Sequence, residues 1–488
     1  MLLTIIVFLP LVAILGCALV PKSMASAPKW IAATVATVDL ALVGHALANF
    51  DWGSGTMQFE EIYQWIPLAN INYHLGVDGI SLPLLFLSAL LTLLAVIASW
   101  KIDKKPKLYF AMIMLLQVGM NGVFLAQDLI LFYVFWELVL VPMYFLIAEW
   151  GGPRRQYASL KFFLYTLAGS VFMLVGIIAT YLYAGSFNIQ ELMHVGLPEG
   201  VQFWLFGAFF LGFAVKVPLF PFHTWLPDAH VEAPTAGSVL LAGVMLKMGT
   251  YGFIRIALPL FPEGFAKWQL AIGILAVISI IYGAACAFAQ TDAKKLIAYS
   301  SVAHMGFAML GIASGTVAGI DGAMAVSISH GFVTGMLFLV FGMMYERLHT
   351  REIKKISGVM AAMPVIGGLF CFASFASLGL PGLSGFVGEF LALVGSWQST
   401  AWPQWLTVIA AVGVLLGAAY MLWLLQRIIF GKESEAVKEV VASKNNTIKA
   451  YELISVIPLI VLIIGMGVYW SGLLNLVDPV VQALFGIG

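Results

Sequence analysis

The chain has 488 residues, of which 61% are hydrophobic and only 10% charged, with a mean hydropathy of +0.99. That balance leaves too little polar surface to cover a soluble fold of this size, whereas a bilayer suits it, because helices satisfy their own backbone polar groups. The net charge is zero, so only the placement of the charges carries information.

From the N-terminus, Met1–Val20 is apolar, and Ala25-Ser26-Ala27 offers a small-residue cleavage motif. Ile14-Leu-Gly-Cys17 faintly resembles a lipoprotein signal. Both kinds of signal place basic residues before the apolar run, and here the first is Lys22, after it; the reading is a retained first helix. Runs long enough to span a bilayer lie near 2–20, 29–48, 80–100, 108–126, 128–148, 159–184, 202–227, 233–256, 268–289, 296–315, 321–347, 361–396, 405–430 and 451–475. The sequence thus predicts an all-α polytopic membrane protein of about fourteen transmembrane helices. Pro218 and Pro221 interrupt the seventh, and Gly379-Leu-Pro-Gly-Leu-Ser-Gly385 the twelfth.

If fourteen spans alternate, twenty of the 24 Lys and Arg fall on one side, from Lys22 and Lys29 through Lys101, Arg154, Lys294 and Arg351 to Lys449. The opposite side receives Arg255 and Lys267 and, in its longest loop, Asp51, Glu60, Glu61 and Asp78. The positive-inside rule makes the basic side cytoplasmic and places both termini outside. Cys17, Cys286 and Cys371 are scattered through apolar runs, a pattern that argues against a disulfide framework, an iron–sulfur cluster or any redox centre in this chain.

Ionisable residues at mid-span are costly and ask for a reason. Glu137 lies mid-way along the fifth span, and Lys216 lies beside the prolines of the seventh, where freed backbone groups leave room for water. If these two meet, they form either a structural ion pair or a switch, because the carboxylate favours the charged lysine while burial opposes it. Lys247, with no acidic neighbour one turn away, reads as a proton carrier more than as a lysine snorkelling to an interface. Glu389 follows the break in the twelfth span and reads as a terminal site. His304 and His330 sit among small hydroxyl residues that can hold water and read as a relay more than as bonded core. His223, at the first break, is a possible feeder. Asp39, with His45 beyond it, reads as structural or interfacial. Haem would need two facing histidine pairs, and only His304 and His330 qualify.

Two broken helices five spans apart are the pattern of an inverted repeat with a site at mid-membrane. The division predicted is 1–107 as flanking helices with an external loop, 108–256 and 268–430 as five-helix units, and 431–488 as a loop and last helix.

Five segments carry a resemblance. Tyr73–Pro83, Phe135–Met143, Lys216–Thr235, Ala298–Gly306 and Gly379–Glu389 resemble the antiporter-like subunits of respiratory complex I, NADH-quinone oxidoreductase, over essentially the whole chain. Within that family, glutamate at 389 sets the chain apart from the related L and N subunits, which resemble each other in having lysine there, and an end soon after the fourteenth span sets it apart from subunit L, of which a long lateral helix is expected. The resemblance implies two inverted five-helix repeats and redox-driven proton translocation through Glu137, Lys216, Lys247, His304, His330 and Glu389, with His223 as a possible path residue. It implies no cofactor in this chain, with flavin and iron–sulfur clusters in partner subunits. The partners implied are other membrane-arm subunits, especially L and N, and lipid, but no nucleic acid. The location implied is the bacterial inner membrane. The rival readings are a subunit of a sodium/proton antiporter, a subunit of a membrane-bound hydrogenase or a photosynthetic relative, and a purely structural spacer.

Overall fold

The computed structural model describes residues 1–21, 23–24 and 26–485. Lys22 and Ala25, used above in reading the N-terminus, lie outside the described residues.

Twelve helices among the described residues are long and apolar enough to cross a membrane. They are α1 (Leu2–Leu19), α2 (Ala27–Ala48), α3 (Ser81–Ala98), α4 (Pro106–Leu125), α5 (Leu129–Trp150), α6 (Arg155–Ala184), α9 (Thr235–Leu260), α10 (Pro262–Phe288), α11 (Ala293–Ser314), α12 (Val317–Leu348), α15 (Trp405–Ile428) and α16 (Ala450–Val468). The predicted seventh and twelfth spans fall outside this set because each is split. The seventh comprises α7 (Glu199–Lys216) and α8 (Trp225–Glu232), and the twelfth α13 (Pro364–Ser377) and α14 (Ser384–Gln398). A last helix, α17 (Ser471–Phe485), follows α16.

One addition qualifies the all-α expectation. The loop between α2 and α3 contains an antiparallel hairpin, β1 (Gln58–Ile66) and β2 (Ile71–Val77), with Tyr63 opposite Tyr73. Its sequence mixes aromatic and branched residues, and Asn70 closes the turn at φ 52°, a conformation asparagine tolerates better than most residues. Glu61 anchors the hairpin by accepting hydrogen bonds from the Leu3 and Thr4 amides, 2.9 and 3.2 Å, at the start of α1. Burial opposes its charge, but these bonds and those from the Thr4 hydroxyl and the terminal amine hold the carboxyl below its ordinary range.

The ion pairs between distant segments each join connections on one predicted side. Asp78 pairs with Arg255, and Lys267 lies 2.6 Å from Glu199, on the sparsely basic side. Lys161–Asp228 at 2.6 Å, Arg347–Glu452 at 2.7 Å and Arg351–Asp292 at 3.3 Å lie on the basic side.

The most hydrophobic stretches of α9 and α12 are entirely buried, whereas only about a third of those of α1, α2 and α16 are. The core is therefore the contact between α9 and α12, and glycine permits it. A Cβ on Gly331 would come within 2.9 Å of the Gly243 carbonyl oxygen, so the two backbones touch only because that carbon is absent. This contact stations Lys247, one turn beyond Gly243, against His330.

Candidate functional site

The two breaks are built differently. In the first, Pro218 and Pro221 cannot donate hydrogen bonds, and the chain reroutes its backbone bonding. Leu219 N donates to the Ala214 carbonyl, Trp225 Nε1 to that of Val215 at 2.9 Å, and Phe220 N to the Ser279 hydroxyl at 2.8 Å. Lys216, the last residue of α7, is thereby held at the break. In the second, Gly379 (φ 77°) and Gly382 (φ 91°) carry a left-handed turn. A Cβ at Gly379 would lie 3.3 Å from Glu389 Oε2, so the Glu389 carboxylate leans back over the break from the second turn of α14.

Lys216 and Glu137 are neighbours without a bond. No ion pair within 4.0 Å joins them. The buried Lys216 ammonium instead lies 4.9 Å from the centre of the Trp136 ring, a cation–π distance. Among the described residues, neither Lys216 Nζ nor Glu137 Oε1 has a hydrogen-bond partner. The pair considered from sequence thus makes no direct ion pair, and the Trp136 ring faces the ammonium instead.

Lys247 has a partner the sequence did not suggest. A π-helical turn, Leu241–Met245, ends two residues before it; Nζ donates to the Ala242 carbonyl within that turn, while His330 Nδ1 lies 2.6 Å from the same nitrogen. The His330 and His304 rings follow at 6.0 Å between centroids. His304 Nδ1 then lies 2.7 Å from Glu389 Oε1, and its Nε2 lies 3.3 Å from the Ser377 hydroxyl and 3.4 Å from that of Tyr420. A cavity of about 20 Å³, bordered by His304, His330, Ser329, Ser377 and Glu389, has room for about one water. Lys247, His330, His304 and Glu389 therefore form a row of ionisable groups along the middle of the molecule. Among the described residues, no side-chain hydrogen bond links Lys216 to Lys247.

His223 sits beside the first break, caged by Phe220, Tyr282 and Tyr299, and its Nδ1 has no partner. No hydrogen bond ties it to the row. Asp39 is fully buried and accepts from Gln117 Nε2 at 2.7 Å and Asn121 Nδ2 at 3.2 Å, both on α4, while Ser88 of α3 bonds to the Asn121 carbonyl oxygen. It clamps α2 onto α4, away from the row.

Three polar groups near the row escaped the sequence reading. His230 is buried against Phe338 with neither ring nitrogen partnered. Lys294 is buried and donates to the Ala233 carbonyl at 2.6 Å. Tyr420 has no flanking polar residue to flag it. His230 and Lys294 lie near span ends in sequence, where charge is ordinary; α8 and α11 turn them inward.

Fold and site together define a helical membrane protein organised around a lateral row of lysine, histidine and glutamate. The family model described as "NADH:quinone oxidoreductase/Mrp antiporter, TM" matches residues 126–417, and that described as "NADH-ubiquinone oxidoreductase chain 4, amino terminus" matches residues 11–121. The chain belongs to this NADH:quinone oxidoreductase/Mrp antiporter family of transmembrane subunits. NADH-quinone oxidoreductase subunit M of Rhodobacter capsulatus is 45% identical over 99% of this chain and 96% of its own length. NAD(P)H-quinone oxidoreductase chain 4 3 of Trichormus variabilis is 42% identical over 96% and 88%. Among solved structures, a chain of respiratory complex I from Thermus thermophilus with bound NADH superposes with a TM-score of 0.89 at 32% identity, covering 100% of this chain and 99% of that one. A chain of the Mrp complex from Dietzia shares the fold, with a TM-score of 0.87 at 21% identity, over 100% of this chain and 52% of that one.

Proposed function

We propose that this chain is the M-type, antiporter-like subunit of a proton-translocating NADH-quinone oxidoreductase. In this reading it carries protons along Glu137, Lys216, Lys247, His330, His304 and Glu389. The observation that carries the reading is the row from Lys247 to Glu389, with a short contact at each end and a 6.0 Å interval between the two histidine rings beside a cavity for about one water, in a chain of this family. A change in a neighbouring subunit moves Glu137 relative to Lys216. The lysine, resting on Trp136 without a hydrogen bond, gives up its proton toward Lys247, and water fills the interval that no side chain spans. His330 and His304 pass the proton on, and Glu389, leaning over the second break, releases it. Moving one charge against 100 mV requires about 2.3 kcal/mol.

The membrane in this reading is the bacterial inner membrane, with the basic face cytoplasmic and both termini outside. The functional halves are the five-helix units 108–256 and 268–430, related by inversion and flanked by 1–107 and 431–488. NADH oxidation, flavin and iron–sulfur clusters belong to partner subunits, and the flanking partners are the related L and N subunits. His223 serves as an entry branch at the first break. The test is redox-driven proton uptake by the reconstituted complex with Glu137→Ala or Lys216→Ala. A loss of at least about tenfold in pumping, equivalent to ~1.4 kcal/mol, is expected with assembly intact; wild-type pumping in both variants would overturn the assignment.

A further inference from the structure

We infer that the groove between α2, α3 and α16 at the basic face binds an anionic phospholipid, with an acyl chain along the groove and the phosphate among Lys29, Lys101 and Lys449. The groove encloses about 470 Å³, and its walls include Trp30, Val38, Leu93, Ile97, Tyr451 and Ile454. Trp30, Val38 and Ile454 are exposed, on helices that turn most of their surface away from the protein core. An apolar trough open sideways at membrane depth is filled by hydrocarbon rather than by water.

Its polar end supplies the complementary charge. Lys29 Nζ donates to the Trp100 carbonyl at 3.3 Å and lies 5.3 Å from the Trp100 ring, which meets Trp30 edge-on at 4.7 Å. Lys101 Nζ lies 6.0 Å from the Tyr451 ring, and the Lys449 amine approaches that of Lys101. Two carboxylates lie nearby. Glu452 is occupied by Arg347, at 2.8 and 2.7 Å, and Glu346 lies 3.9 Å from Lys101. Three lysines against one available carboxylate leave a positive surplus. Tyr451 adds a buried hydroxyl near Lys101, a donor for a phosphate or glycerol oxygen. Paired lysines, aromatic rings at the interface and an apolar trough together match a phosphodiester with acyl chains.

The test uses the intact assembly, stripped of lipid in detergent and titrated with dioleoyl-phosphatidylglycerol or dioleoyl-phosphatidylcholine, with lipid retained on this chain read by native mass spectrometry. One phosphatidylglycerol is expected to stay bound where phosphatidylcholine does not, and excess inorganic phosphate is expected to leave it in place. Lys101→Gln with Lys449→Gln is expected to weaken binding about 30-fold, the Lys101→Arg/Lys449→Arg pair to retain it, and Val38→Trp to abolish it by filling the trough. Equal retention of the two lipids, displacement by phosphate, binding unchanged in both the glutamine pair and Val38→Trp, or crosslinking of a neighbouring subunit's helix to Val38 would overturn the inference. The readout is lipid mass, so its outcome is independent of whether the chain pumps protons.

Discussion

The row from Lys247 to Glu389 makes a specific claim about His330, whose Nδ1 lies 2.6 Å from Lys247 Nζ and whose ring lies 6.0 Å from that of His304. His330→Phe keeps a ring of similar shape but removes both nitrogens. The adjoining cavity, about 20 Å³, holds about one water, too little to span from Lys247 to His304 once the His330 nitrogens are gone. His330→Ala instead frees about 60 Å³, room for about two further waters at ~30 Å³ each, which can restore a wire. Losing one positioned proton-transfer group costs roughly 2.7–5.4 kcal/mol, or about 10²–10⁴-fold in rate. The expected order of pumping is therefore wild type, then alanine, then phenylalanine, the last reduced by about a hundredfold or more. The assay is proton translocation per electron in proteoliposomes containing the whole complex, alongside the rate of quinone reduction. Pumping by His330→Phe at the wild-type ratio, or alanine poorer than phenylalanine, would refute the reasoning.

Three further outcomes follow from contacts away from the row. Arg347 and Glu452 form a buried bidentate pair; replacing either partner alone should lower stability by about 3–5 kcal/mol, and replacing both with Met and Leu by less, as read by thermal unfolding of the assembled complex, where equal or additive losses would contradict the prediction. The Glu61 carboxyl is held below its ordinary value of 4.5, so its contribution is complete above that pH and fades as the pH falls toward the lower folded value. Hydrogen exchange at the Leu3 and Thr4 amides should then accelerate below about pH 4.5, and Glu61→Gln should flatten that dependence. Asp39→Ala should destabilise by roughly 1–3 kcal/mol through the stranded Gln117 and Asn121 amides, with Asp39→Asn milder and the proton-to-electron ratio unchanged in both; a lower ratio would mean that Asp39 belongs to the path.

Much of this architecture was legible before any coordinates, for physical reasons. Apolar runs bounded by lysines mark spans, and prolines at 218 and 221 or glycines around 379 mark breaks, because each alters backbone hydrogen bonding in a way composition exposes. Charges inside such runs stand out for the same reason. What stayed hidden was pairing. Nothing in the sequence near Lys247 points to His330, 83 residues away, because the link depends on Gly243 and Gly331 letting two helices touch. Nor could spacing place Trp136, rather than the Glu137 carboxylate, beneath Lys216. His230 and Lys294 looked peripheral by position and are interior by folding. The hairpin at 58–77 lies between apolar runs and carries no spanning signal of its own, although its aromatic and branched residues and the turn at Asn70 mark it.

The π-helical turns at Leu241–Met245 and Phe253–Ala257 have a consequence for how α9 can be altered. Each accommodates about one residue more than an α-helical turn, and one residue is roughly 100° of rotation about the axis. The stretch bearing Lys247 is thus phased independently of the helix on either side, like a segment set between two swivels. Deleting one residue from the first turn would swing the lysine by about a quarter of a revolution relative to the start of the helix, while leaving its composition and nearly all of its length unchanged. The direction in which the ammonium points is in that sense a property of helix winding.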